Sequence, residues 1–177
     1  MKDKKSAVIK GTIYWPFFER QNPMKAGKYT VDLGQLSAEA VQTLKEMGLG
    51  HKVKVDEPKE GYERKDGKFV PDDPEARSKP DKGVYIQCQS GYPPKVFDLA
   101  KRDVDPNIVG NGTVANVRVS TYEWTFKAEK GLGAGFNAVQ IVNLVEFRGG
   151  DNFSDFEFQE PSEDDFPTGG DEGEFEK

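Results

Sequence analysis

The sequence predicts an all-β chain: a five-stranded Greek-key barrel of the OB type with one short helix and a disordered acidic C-terminal tail. Three observations predict it. Five or six short segments are rich in β-branched and aromatic residues or alternate apolar with polar. A single helical pattern lies between early strands, and the βαβ alternation of a parallel sheet is missing. Residues 151–177 hold eleven acids, one base and no Val, Ile or Leu. Such a segment cannot bury enough apolar area to offset the entropy of ordering it. An open sandwich is the alternative architecture.

Taken in order, Ala7 to Trp15 reads as a strand halted by Pro16. Lys28 to Leu33 alternates, with Tyr29, Val31 and Leu33 on one face. Ser37 is placed to cap a helix carrying Val41, Leu44 and Met47 at helical spacing, and Gly48 stands where that helix should stop. His51 to Asp56 begins another strand. Residues 56–82 have 16 of 27 positions charged and four prolines, the pattern of a long flap with a hairpin turn at Lys65-Asp-Gly-Lys68. Gly83 to Gln89 is a strand, and Lys95 to Asp98 a short extension. Thr113 to Phe126 is the clearest strand, entered through the Asn111-Gly112 turn. Gly131, Gly133 and Gly135 read as a connection to a last strand, Ala138 to Phe147, apolar on both faces. The domain reading is therefore a barrel over 1–150, with the 56–82 flap inserted, followed by the tail at 151–177.

The overall charge of −6, from 25 Lys and Arg against 31 Asp and Glu, hides an asymmetry. The tail is −10 and the body +4. The tail also carries five phenylalanines set among its acids, the composition of an interaction segment rather than a purely solvating one. Its candidate partner-binding residues are Phe153, Phe156, Phe158, Asp164, Asp165, Phe166 and Phe175. No apolar run is long enough for a transmembrane helix, and no apolar stretch follows the first five residues as a secretory leader requires. One cysteine suits a reducing cytoplasm.

Period two along the Thr113–Phe126 strand puts Ala115, Val117 and Val119 on a core face. Arg118, Tyr122 and Trp124 fall on the other. A cation and two large rings on one open face form a platform for nucleic-acid bases. Rings stack on a base of any identity, and basic groups meet phosphate. The same alternation groups Lys10 with Tyr14, and Tyr85 with Gln87 and Gln89. Trp15 sits at a strand end near the rim, and Lys28 and Lys54 add charge nearby. The candidate nucleic-acid-binding set is Tyr122, Trp124, Arg118, Tyr14, Tyr85, Lys10, Trp15, Lys28 and Lys54. The flap is expected to close over a bound strand or to order on binding. The acidic, ring-bearing tail mimics a single nucleic-acid strand and is expected to compete for the same groove.

Three segments in this order carry a resemblance: Ile13 to Phe18 with Gly27 to Val31, Gly110 to Val114 with Tyr122 to Trp124, and Leu132 to Ile141. Together with the tail they resemble bacteriophage single-stranded-DNA-binding proteins. That resemblance implies an OB fold that coats single-stranded DNA in phage replication, recombination and repair, within the bacterial host's cytoplasm. It also implies a tail that contacts replication proteins such as a polymerase or helicase. A monomer and a dimer are both compatible with it.

Catalysis finds little support in the residues, so no enzyme, cofactor or metal is expected. His51 and Cys88 are the only His and Cys, which excludes a Cys/His zinc site. Gly131-Leu-Gly-Ala-Gly135 has the wrong spacing for a dinucleotide fingerprint. Asp98, Asp103 and Asp105 are the carboxylates closest to a magnesium-nuclease set, but no Asp/Glu-x-Lys follows Asp81. A structural or scaffold phage protein is the other alternative.

Overall fold

A computed structural model describes residues 6–25 and 27–146 of the chain. The strands are β1 (Ser6–Phe17), β2 (Tyr29–Gly34), β3 (Val53–Val55), β4 (Tyr62–Lys65), β5 (Lys68–Pro71), β6 (Lys79–Pro80), β7 (Val84–Ser90), β8 (Lys95–Asp98), β9 (Val114–Phe126) and β10 (Glu129–Asn143). One α-helix, α1 (Ala38–Glu46), follows β2. Its entry follows the sequence reading: Ser37 Oγ accepts a hydrogen bond from the Ala40 amide at 3.0 Å, satisfying one of the first-turn donors.

Seven strands form one sheet in the order β3-β7-β2-β1-β9-β10-β8, antiparallel except where β8 joins β10 in parallel. Five of them, β1, β2, β7, β9 and β10, are the long staves expected of an OB-type barrel, and β3 and β8 lengthen its edges. The sheet curls until β10 packs on β7, but no ladder joins those two strands, so the barrel stays open along that line.

The core follows the alternation. Ala115, Val117 and Val119 on β9 are fully buried, and they meet Ile9 and Ile13 of β1, Val31 and Leu33 of β2, Ile86 and Cys88 of β7 and Val139 of β10. Leu44 from α1, with Met47 at its C-cap and Leu49 beyond, completes the same cluster. Each buried Val, Leu, Ile or Met of this cluster contributes about 1.5–3 kcal/mol by leaving water. Thr113, like Thr30, is a fully buried polar side chain, here at the barrel's end. Its hydroxyl donates to the Val145 carbonyl at 3.1 Å and accepts from the Val145 amide at 2.9 Å, so the burial leaves no hydroxyl valence unmet.

Four expectations are corrected. Pro16 does not halt β1: the strand runs on to Phe17 through a bulge between Tyr14 and Phe17, with Trp15 at φ 50°. A bulge residue needs no ladder bond, so a proline is tolerated there. His51 to Asp56 opens as a 3-10 turn over Gly50–Lys52, and only Val53–Val55 pairs as strand. The Gly131–Gly135 run is not a connection but lies inside β10; the hairpin turns at Lys127, φ 57°.

The 56–82 segment, expected as a long loop or flap with one hairpin turn, carries a second sheet in the order β4-β5-β6. Its Lys65–Lys68 turn is as expected, with Asp66 and Gly67 both at positive φ, the type I′ geometry that matches strand twist. Arg64 fixes this sheet to the barrel. Its Nη2 donates to the Asp56 carbonyl and its Nε to Asp81 Oδ2, both at 2.6 Å, so one guanidinium ties the two ends of the insertion. Bonding to Asp81 raises the Arg64 pKa above its ordinary value. The tail reading, including the whole unit 151–177, lies outside the described residues.

Candidate nucleic-acid interface

The outer surface of β2, β3 and β7 forms the floor of a groove of about 290 Å³, walled by the loop before β2 and by the β9–β10 hairpin. Register sets the floor. Asp32 pairs with Gln87 and Lys54 with Tyr85, so all four belong to the face turned away from Ile86 and Cys88. Lys25 enters from the loop, Lys52 from the 3-10 turn and Lys82 from the end of the insertion. The groove thus gathers four lysines and two tyrosines, Tyr85 and Tyr122, against one carboxylate.

That carboxylate is committed. Asp32 is 7% exposed; its Oδ2 lies 2.7 Å from Lys82 Nζ and its Oδ1 accepts from Gln87 Nε2 at 3.1 Å. Lys82 Nζ also stands 3.9 Å from the centre of the Tyr85 ring, so the ammonium covers the ring face. A cation–π contact to a largely buried ammonium is worth about 2 kcal/mol, within the range of roughly 1–3 for stacking a base on a ring. The Tyr85 ring face is thus covered by an ammonium already paired with Asp32.

Tyr122 comes to the groove by a cross-strand relationship. It pairs with Gly133, and Trp124 pairs with Gly131. Each ring lies flat over its glycine: a Cβ built on Gly133 would sit 2.3 Å from Tyr122 Cζ, and one on Gly131 2.7 Å from Trp124 Cζ2. Only glycine permits that approach, and each ring is left half-buried with its outer side free of this strand. Gln89 Nε2 donates to the Tyr122 hydroxyl, which closes the gap between β7 and the hairpin by a side-chain bond. Beneath the floor, burial pushes the Cys88 thiol up to about 12, with the Asp32 charge adding to the effect, so it is no nucleophile.

The structure brings together Tyr122, Tyr85 and Lys54 of the sequence-derived set, with Trp124 beside them on the hairpin. It separates others. Arg118 and Lys10 are exposed, but on the stretch where β1 pairs β9; Lys10 faces Asn116 and Arg118 faces Val8, and neither lines the groove. Tyr14 is corrected as an open ring: it is 8% exposed, its hydroxyl accepts from Gln35 Nε2 at 3.3 Å, and its ring packs over Gly34. Lys28 is half-buried, its backbone N–H donating to the Lys25 carbonyl, and Lys25 takes the groove position instead. Trp15 is 49% exposed, in the β1 bulge, with its amide donating to Asn111 Oδ1 at 2.6 Å. The sequence-derived set missed Lys25, Lys52 and Lys82. For Lys82 the signal was its place three residues before Tyr85, at the end of a charged stretch.

Two of the three carboxylates considered for metal, Asp98 and Asp105, are engaged locally. Asp98 accepts from the Ala100 and Arg102 amides and from Arg102 Nε, and the Arg102 amide above all lowers its pKa. Asp105 caps the 3-10 turn at Pro106–Ile108. Among the described residues no group of three His, Cys, Asp or Glu side chains is placed to hold a metal ion.

A family model described as Enterobacter phage Enc34, ssDNA-binding protein, matches residues 26–167. The chain belongs to this family. The single-stranded DNA-binding protein of bacteriophage Enc34, solved in complex with ssDNA, superposes with a TM-score of 0.53 at 17% identity, covering 84% of this chain and 96% of that one. The single-stranded DNA-binding protein gp2.5 of bacteriophage T7 superposes with a TM-score of 0.50 at 15% identity, covering 90% and 97%. At these identities the likeness is one of fold. No curated protein matches the sequence.

Proposed function

We propose that this protein binds single-stranded DNA without sequence preference, in the groove between Tyr122 and Tyr85. One observation carries the reading: two tyrosine rings and four lysines face one groove on the barrel surface, with its single carboxylate already neutralised by Lys82. Rings accept any base, ammoniums accept phosphate, and nothing in that set distinguishes one base from another. Family membership supports it, since the family's namesake binds ssDNA. The surface between the first loop and the last hairpin is also where OB folds hold oligonucleotides.

The mechanism is displacement and stacking. A base takes the Tyr85 face from Lys82, whose ammonium keeps its pair with Asp32 and turns a remaining N–H to the phosphate beside it. Tyr122, held flat by Gly133 and steadied by Gln89, takes a neighbouring base. Lys25, Lys52 and Lys54 neutralise phosphates along the path. Trp124 extends the stacking surface along the hairpin. The chemistry is binding, not catalysis, and needs no cofactor.

In the cell the protein coats single strands exposed in phage replication, recombination and repair, in the bacterial cytoplasm. The acidic tail, 151–177, competes for the lysine-lined groove and yields to a long strand, then offers its phenylalanines to replication proteins such as a polymerase or helicase. Anisotropy of a labelled oligothymidylate in EDTA tests the binding. Affinity that weakens with salt supports the reading; no association at low salt refutes it and returns the chain to the structural alternative.

A further inference from the structure

The insertion and the β1 bulge enclose a second cleft of about 320 Å³ that no sequence motif announces. Trp15 lines it from the barrel; Tyr62, Lys59 and Lys79 line it from the insertion, and Lys82 lines both this cleft and the main groove. Lys82 is therefore the link between the two. Trp15 is turned here because the bulge puts it at φ 50°, a left-handed conformation that costs energy for a tryptophan, held by the Asn111 side chain. The chemistry repeats that of the groove. Lys79 Nζ stands 5.2 Å over the Tyr62 ring as Lys82 Nζ stands over Tyr85. Of the two carboxylates on the rim, Asp56 is engaged by the Lys82 amide at 2.9 Å.

We infer that this cleft is a second base-binding subsite, in which Trp15 and Tyr62 take a base and Lys79 and Lys82 the flanking phosphates. A single DNA strand then runs from Tyr122 past Tyr85 and Lys82 to Trp15. The inference rests on the single-stranded-DNA reading and extends it: the small sheet is a built part of the binding track that sets how many nucleotides the protein covers.

The test uses the full chain and oligothymidylates of about 4 to about 16 nucleotides, the range one OB fold covers. Trp124→Phe leaves Trp15 as the single indole, so its emission is read in the same titration as the anisotropy of a labelled strand. Quenching of Trp15 by long strands and not by the shortest ones is the expected result. In the otherwise unaltered chain, Tyr62→Ala and Lys79→Ala should each weaken binding of the longest strand about tenfold and leave the shortest unchanged. Anisotropy that rises while Trp15 emission stays constant, or Tyr62→Ala and Lys79→Ala chains that bind every length as the unaltered chain does, overturns the subsite and leaves the main groove standing. If the unaltered chain binds no oligonucleotide, both readings fall together.

Discussion

The Tyr122 ring lies so close over Gly133 that no side chain fits beneath it: a Cβ there would be 2.3 Å from Tyr122 Cζ. Gly133→Ala should therefore lift the ring, break its bond with Gln89 and overpack the hairpin. The expected cost is about 1–3 kcal/mol of stability together with weaker DNA binding. Urea denaturation and strand titration of the same variant check both. Gly91, whose Cβ would meet nothing, is the control, and Gly91→Ala should change neither measurement.

Stacking predicts a difference between removing a ring and removing a hydroxyl. Tyr122→Ala and Tyr85→Ala should each lose roughly 1–3 kcal/mol of binding free energy. Tyr122→Phe keeps the ring and loses the Gln89 bond, so it should bind nearly as the unaltered chain does. Equal losses for Ala and Phe would place the effect in the hydrogen bond instead.

Lys82 and Asp32 form a pair with side chains 14% and 9% exposed. Lys82→Ala strands the carboxylate and should destabilise the fold by about 3 kcal/mol, besides weakening DNA binding. Lys54→Ala, at an exposed position without such a partner in the described hydrogen bonds, should weaken binding while leaving the urea midpoint unchanged. The two variants separate folding from phosphate contact.

The Cys88 thiol, raised from 9.0 to about 12 by burial, makes the fold sensitive to alkali. Its neutral form is favoured in the folded chain, so its contribution is complete below about pH 9 and declines as pH rises toward 12. Denaturation midpoints should fall across that window, and less so for Cys88→Ala. A thiol reagent at pH 8 should label Cys88 only in the unfolded chain.

The tail reading predicts that truncation after Gly150 raises affinity, most at low salt, because a screened acidic segment competes poorly. Equal salt-dependent curves for the full and truncated chains would remove the competition and leave the tail a partner-binding role.

The β9 face was legible because one strand carries its own period: Val117 and Val119 inside, Tyr122 and Trp124 outside. The glycine run in β10 was not, since glycine is normally depleted in strands; there the rings of the neighbouring strand stand in for the missing side chains. The insertion read as a loop because its order comes from contacts between charged groups and rings, such as Arg64 over Phe69 at 5.3 Å, rather than from an apolar face. Lys82 escaped for a related reason. Its partner Asp32 is distant in sequence, and only the fold puts the two 2.7 Å apart. Arg118 shows the converse: sharing a strand face with Tyr122 and Trp124 does not bring it into the Tyr85 groove, because the strand is long and the sheet curls.

The most direct measurement is the salt dependence of oligothymidylate binding, in EDTA, for the full chain and for the Tyr85→Ala, Tyr122→Ala double variant. Four lysines on phosphates predict a slope of about −3 in log affinity against log salt, at roughly 0.7 per phosphate on a single strand. The double variant should keep that slope and lose affinity at every salt concentration. Binding by the double variant equal to that of the unaltered chain would contradict the account, because the strand would then lie somewhere other than the Tyr85–Tyr122 groove.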